Sequence, residues 1–224
     1  MKNKSARKKQ ILIVDDHPMM REGLAQLISQ EPDLAVAGDA GTAREALELA
    51  SKLKPDLMIV DITLPDKNGL ELIKDLHAMH PQIHALVLSM HDESLYAERV
   101  LRAGGRGYVM KQQGGQKIMA AVREVLAGNV HVSEKIASKI VEIFSSGPTA
   151  ANTSPVGRLT DREFQVFQLI GKGRDLREIA AELHLSVRTA EVHRANIKQK
   201  LDLKSVADLI RYAVRWTDST PSNV

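Results

Sequence analysis

Five short apolar runs, at 11–14, 34–37, 57–60, 85–88 and 107–110, recur through the first half of the chain with helix-length stretches between them. Runs such as Ile11-Leu-Ile-Val14 and Leu57-Met-Ile-Val60 put apolar side chains on both sides of a pleat, which suits strands covered on both faces. The intervening segments place apolar residues at helical spacing: Leu24, Leu27 and Ile28, then Ala43, Ala46, Leu47 and Ala50, and finally Ile118, Ala121, Val122 and Val125. Strand and helix alternating in this way predict an α/β domain, a doubly wound five-stranded parallel sheet.

Beyond Gly128 the pattern changes. A helix expected at 134–144 runs into the small, polar and helix-breaking residues from Ser145 to Pro155, the composition of an interdomain linker. Strand signals then stop, and helices expected at 161–170, 176–183, 187–201 and 204–216 make a small all-α four-helix domain. Thr160 with Glu163 forms a capping box, and Ser186 is placed to cap the third of these helices. The chain thus divides into a basic disordered tail at 1–9, a sheet domain at 10–130, a linker helix and flexible linker at 131–157, a helical domain at 158–217 and a tail at 218–224.

Charge follows this division. Residues 10–157 hold 14 lysines and arginines against 19 acids, a net of −5, whereas residues 158–217 hold 12 against 8, a net of +4. A basic end of this kind suits nucleic acid. The chain contains no cysteine, which removes disulfides and thiolate zinc sites and fits a reducing compartment. The first nine residues carry +5, but only a short apolar run follows before Asp15, so they do not form a signal peptide. No apolar stretch approaches the roughly 20 residues needed to cross a bilayer. The expectation is a cytoplasmic protein without a membrane partner.

Acids collect where the strands end. Asp15 and Asp16 close the first run, Asp61 the third, and Lys111 the fifth. Ligands of open α/β sheets gather at the carboxyl ends of strands, so three carboxylates and one amine should converge. Each carboxylate pair at ~4 Å repels by roughly 4 kcal/mol at an effective dielectric of ~20, which calls for a bound cation or a shifted pKa. Hard oxygen ligands point to Mg2+.

These residues resemble the receiver domain of bacterial response regulators, a flavodoxin-like fold. Asp15-Asp16, Asp61 followed by Pro65 and Gly69, Ser89 after the fourth run, and Tyr108 and Lys111 on the fifth recur in the family's order over about residues 10–130. The resemblance implies that Asp61 is the phosphoacceptor, charged by a cognate histidine kinase. Asp16, Asp61 and the backbone carbonyl of Thr63 would hold Mg2+, with Asp15 acting through water. Lys111 and Ser89 would meet the phosphoryl oxygens. Ser89 and Tyr108 form the switch, Tyr108 swinging inward when Ser89 moves, and Thr63 and His91 flank the path of the hydrolytic water. No enzymatic activity is expected beyond self-phosphorylation from a phosphodonor and autodephosphorylation. Gln112 stands where many receivers carry proline.

Residues 159–216 look like the LuxR-type helix-turn-helix that ends NarL/FixJ-class regulators. Residues 176–183 fit the supporting helix, His184-Leu185-Ser186 the turn and 187–201 the recognition helix. Ala190, His193, Ile197 and Leu201 share one stripe, which leaves Arg188, Glu191, Val192, Ala195, Lys198 and Gln199 facing outward. Glu191 suits a cytosine amino group, Val192 and Ala195 suit thymine methyls, and Arg188 suits guanine or phosphate. Arg194, Lys198 and Lys200 are expected on phosphates, where they set position rather than sequence preference. The last helix, with Val206, Leu209, Ile210 and Val214, pairs subunits in this family, so that a homodimer reads two half-sites of double-stranded promoter DNA about one helical turn (~34 Å) apart. The resemblance also implies RNA polymerase as a partner.

Two rivals stand beside this transcription-factor reading. An aspartyl-nucleophile phosphatase needs a second acid beside Asp61 and a cap domain, for which the sequence offers no candidate. A regulator that binds DNA without phosphorylation, or a receiver-type adaptor, keeps the same acceptor site. His77, His80 and His84 read as solvated helix-end histidines around Pro81, and 104–107 as a glycine turn into the fifth run.

Overall fold

A computed structural model describes residues 7–145 and 155–219. Contacts divide the chain into two units, Met1–Ala137 and Ser138–Val224. The first is a parallel sheet of β1 (Lys9–Val14), β2 (Leu34–Ala40), β3 (Leu57–Val60), β4 (His84–Ser89) and β5 (Gly107–Met110), ordered β2-β1-β3-β4-β5. Helices α1 (Pro18–Ser29), α2 (Ala43–Leu53), α3 (Gly69–Met79), α4 (Glu93–Arg102) and α5 (Gly115–Leu126) make the crossovers. All five expected runs are strands, because residues such as Ile11, Leu12, Ile59 and Val60 have essentially no exposure on either face. Ile11, Ile13, Leu57, Ile59, Leu86, Leu88 and Val109 pack with Leu24, Ile28, Ile118, Val122 and Val125 in one layer under α1 and α5. Burying each such side chain stabilises the domain by about 1.5–3 kcal/mol.

The strand order reverses direction at β1, so the crevice of this sheet opens at the carboxyl ends of β1 and β3. Register brings those ends level: Val14 pairs with both Ala40 and Val60, and Asp61 N donates to Val14 O at 2.8 Å. The loop after β3 is tied down on two sides. Asp66 accepts from the backbone of Ala43 and Arg44 at the start of α2, while Asn68 Oδ1 caps α3 through Leu70 N. Backbone donors outweigh burial at Asp66 and hold its carboxyl below 3.8.

Three expected boundaries shift. Lys9 is not part of a tail but opens β1, because Asp56 accepts from Lys9 Nζ and from Gln10 N, both at 2.8 Å. The first domain does not end at residue 130. His131 lies along the free edge of β5, with Tyr108 N donating to His131 O and His131 N to Arg106 O, both at 2.9 Å, and Ser133 N donates to Glu93 Oε1 at 2.7 Å. Residues of α6 (Glu134–Ser145) then cross the unit boundary. Residues 146–154, the centre of the expected linker, lie outside the described residues, as do 1–6 and 220–224.

The second unit contains α7 (Asp161–Gly171), α8 (Leu176–Glu182), α9 (Val187–Lys200) and α10 (Val206–Ser219). The final helix is longer than expected and takes in Asp218, which the sequence assigns to a tail. Its added turn carries Thr217, whose hydroxyl donates to Ala213 O at 2.9 Å. The capping box of Thr160 and Glu163 is present, a second formed by Asp175 and Glu178 starts α8, and Ser186 caps α9 through Thr189 N. Aromatic rings lock α7 to α10: Phe164 and Phe167 meet Trp216 edge-on at 5.6 and 5.5 Å. At Gly171 an added Cβ would stand 2.1 Å from Thr217 Oγ1 and 2.8 Å from Ala213 O, so only glycine allows this approach. Gly171→Val is expected to lower the melting temperature of the helical unit by about 10 °C, measured by calorimetry on the full chain.

Candidate phosphoacceptor site and nucleic-acid interface

Asp15, Asp61 and Lys111 meet at the strand ends, as their positions predict. Lys111 Nζ lies 2.6 Å from Asp15 Oδ2 and 2.7 Å from Asp61 Oδ2, with the ammonium almost wholly buried. Both carboxylates are interior groups, Asp15 exposed by 2% and Asp61 by 5%. Asp16 stands half-buried at the mouth beside His17, whose Nδ1 lies 2.6 Å from Asp16 Oδ1 and 3.2 Å from Asp15 Oδ1. His17 has no counterpart among the residues the sequence singles out.

Burial raises the Asp61 carboxyl above 3.8, against the lowering pull of Lys111. At Lys111 burial opposes the charge, but Asp61 and Asp15 outweigh it and hold the amine above 10.5. Asp61 Oδ1 is buried without a hydrogen-bond partner, while Oδ2 takes the lysine. An orphaned carboxylate oxygen costs about 1–3 kcal/mol or more, unless a cation or a reacting group satisfies it. One donor atom each from Asp15, Asp16, His17 and Asp61 lies within 4.8 Å of the others. This donor set fits a divalent cation, with Asp15, Asp16 and Asp61 supplying hard oxygens.

A second cluster sits beside the first. Ser89 is buried, its Oγ accepts from His91 N at 3.4 Å, and it adjoins the phenol of Tyr108. Thr63 Oγ1 contacts His91 Nε2 at 3.3 Å, and the His91 ring packs on Tyr96 with centroids 4.9 Å apart. Tyr108 occupies the inward position in this structure, 2% exposed, with its hydroxyl donating to His91 O at 2.8 Å. That bond satisfies the buried hydroxyl, and burial together with Tyr96 pushes the phenol well above 10.

On α9 the inner stripe is as expected: Ala190 and Ile197 are fully buried, Leu201 is buried and His193 is half-buried. Arg188, Glu191, Val192, Ala195 and Gln199 are exposed, and Arg194 and Lys198 are half-buried. Lys200 has a partner inside the domain. Its Nζ lies 2.7 Å from Glu163 Oε2, so the last turn of α9 is clamped to the first turn of α7. Burial raises the Glu163 carboxyl, but Lys200 and the Thr160 backbone outweigh it and hold the group below 4.5. A depressed carboxyl stabilises the fold above its unfolded value and loses that contribution as pH falls through the folded one. The helical unit should therefore soften on acidification below about pH 4.5. Glu163→Gln should flatten this acid limb in thermal melts. On α10, Leu209 belongs to the core rather than to a subunit contact, while Val206 and Ile210 are exposed.

Comparison with known proteins agrees with this geometry. The family described as response regulator receiver domain matches residues 11–123, and that described as bacterial regulatory proteins, luxR family, matches residues 157–213. The oxygen regulatory protein NreC of Staphylococcus aureus is 34% identical over 209 residues, covering 92% of this chain and 96% of that protein. A two-component response regulator of the LuxR family from Aurantimonas sp. SI85-9A1 shares 35% identity over 60% of this chain and 96% of its own, with a TM-score of 0.56. RcsB of Salmonella enterica serovar Typhimurium, solved bound to the promoter rprA in the presence of the phosphomimetic BeF3−, shares 25% identity over 93% of this chain and 99% of its own, with a TM-score of 0.60. Among the described residues no helix is long and apolar enough to cross a membrane.

Proposed function

The chain belongs to the response regulators that join a receiver domain to a LuxR-family DNA-binding domain, and from that membership we propose that phosphorylation of Asp61 by a histidine kinase controls dimerisation and promoter binding. The observation that carries this reading is the buried Lys111 ammonium bridging Asp15 and Asp61 while Asp61 Oδ1 stays unsatisfied. In the transfer, an Asp61 carboxylate oxygen attacks the phosphorus of the kinase phosphohistidine. The P–O bond forms as the P–N bond breaks, and the imidazole leaves with the electron pair. Asp16, Asp61 and the Thr63 carbonyl, with Asp15 through water, would hold Mg2+, which when bound would neutralise charge on the transferring oxygens. Lys111 shifts from the carboxylate pair to the new phosphoryl oxygens, and Ser89 donates to another.

The route outward runs through contacts already formed. Ser89 and His91 hold Tyr108, and the Tyr108 backbone donates to His131, three residues before α6 begins. A Ser89 drawn toward a phosphoryl group disturbs that edge, which is the two-state element this reading needs. In the helical unit, Arg188, Glu191, Val192 and Ala195 read bases, while Arg194 and Lys198 bind phosphates. Val206 and Ile210 on α10 serve the dimer. The domain limits follow as receiver to about residue 133, linker to 157 and reader from 158. The setting is the cytoplasm, with RNA polymerase as a further partner.

The test is promoter-fragment binding with and without a small acyl phosphate and Mg2+, on wild type and Asp61→Ala. The donor should tighten binding of the wild type by about tenfold or more and leave the variant flat. Equal responses in both overturn the switch. Lys198→Ala should weaken binding uniformly across sequences and lower the salt slope by about 1. Lys200→Ala should instead cost about 1–2 kcal/mol of stability, read as a lower melting temperature. The inward Tyr108 also favours a second reading, a regulator that binds DNA unmodified, and tight binding by unphosphorylated wild type would select it.

A further inference from the structure

We infer that His17 is a protein ligand of the cation site, and that its imidazole makes the site prefer a first-row transition divalent ion such as Mn2+ over Mg2+. This rests on the cation-dependent acceptor site proposed above and deepens it. Lys111 takes Oδ2 of both Asp15 and Asp61, which leaves Asp61 Oδ1, buried and unpartnered, to face a cation. His17 Nδ1 completes the set of four residues whose donor atoms lie within 4.8 Å of one another. Its distance of 2.6 Å to Asp16 Oδ1 approaches the spacing of about 3 Å between neighbouring ligands of a small divalent ion bound at about 2.1 Å, and Asp15 Oδ1, 3.2 Å away, is left to act through water.

The backbone explains why the ring points there. His17 is the N-cap of α1, a position that favours Ser, Thr, Asp or Asn because their side chains accept from the helix backbone. Its imidazole makes no capping bond, and Pro18 follows at the first helical position. Instead His17 N donates to Asp15 Oδ1 at 2.9 Å, which folds the residue back over the acids and sets Nδ1 against both carboxylates. Mg2+ binds imidazole poorly, whereas transition ions accept nitrogen and oxygen together. An all-oxygen triad does not discriminate in this way.

The experiment titrates Mn2+ and, separately, Mg2+ into the full chain by calorimetry, with wild type, His17→Ala and Asp16→Asn. It then records pulsed paramagnetic resonance of the Mn2+ complexes. The wild type should show nitrogen modulation from a bound imidazole that disappears in His17→Ala. Mn2+ affinity should fall about tenfold in that variant, and Mg2+ affinity distinctly less. Because the His17 side chain is 68% exposed and caps nothing, the variant should melt with the wild type, and this control separates ligand loss from unfolding. Mn2+ bound without nitrogen modulation, or modulation that survives His17→Ala, overturns the assignment while leaving an oxygen-only site intact. If the wild type binds neither ion above the level of Asp16→Asn, the cation-dependent reading itself fails.

Discussion

The Asp61→Asn protein should gain no phosphoryl group from a small acyl phosphate donor, and in metal-free buffer it should melt above the wild type. Uptake is lost because an amide is not a nucleophile toward phosphorus at neutral pH. The gain in stability follows from the buried carboxylate. Burial holds the Asp61 carboxyl above its ordinary 3.8, so the folded state binds this proton more tightly than the unfolded chain. Such a group stabilises the fold fully below 3.8, and that contribution is lost as pH rises through the folded value. At neutral pH the ionised form is therefore a burden, only partly relieved by Lys111. Asparagine removes the charge and keeps an oxygen for Lys111 Nζ. The expected gain is about 1–2 kcal/mol, or about 4 °C, narrowing toward pH 4. Intact mass and paired melts check both halves. An adduct on the variant would refute the acceptor assignment, and a lower melting temperature at pH 7 would refute the electrostatic account.

Gly69→Ala should be among the most damaging single-methyl changes in the receiver. An added Cβ would stand 2.1 Å from Asp61 O and 2.9 Å from Ile62 Cα. Both obstacles are backbone, and Gly69 N donates to Ile62 O at 2.8 Å, so the loop cannot open without dragging Asp61 off the end of β3. Asp66 and Asn68 hold the same loop to α2 and α3, which closes other routes of relief. The cost should reach about 3–5 kcal/mol, a fall of about 10–15 °C for the receiver transition in calorimetry. Phosphoryl uptake should fall with it. A shift of less than about 3 °C would show that the loop yields more easily than its contacts imply.

All five strands were legible because each is an unbroken apolar run, and helix-length connections made the sheet parallel; the order β2-β1-β3-β4-β5 was not legible, since right-handed crossovers of this length allow more than one. Two helices were not located from sequence, α3 and α4. Gly69, which punctuates like a turn, begins α3, and only Tyr96, Ala97 and Val100 are buried on α4, too few for a clear stripe. The acid pocket was legible because Asp15, Asp61 and Lys111 each end a strand. His17 was not, since the direction of its ring depends on the start of α1. The misfit of a histidine at an N-cap before proline was the available signal. The ion pair of Lys200 was not legible, because a lysine in a last turn usually faces water. Its partner Glu163 is 37 residues away, and periodicity within α9 carries no trace of it.

The clamp between Lys200 and Glu163 and the buried residues Ala190 and Ile197 hold the frame of α9, separate from the residues that face away from the core. Glu191, Val192, Ala195 and Gln199 are exposed and stand apart from that frame. Under the role proposed for this face, changes confined to them would alter what the helix recognises while leaving the fold near its original stability, since exposed positions usually tolerate substitution within about 0.5 kcal/mol. If that face reads DNA as proposed, a duplicated copy of such a protein could drift to a new operator without crossing a stability valley.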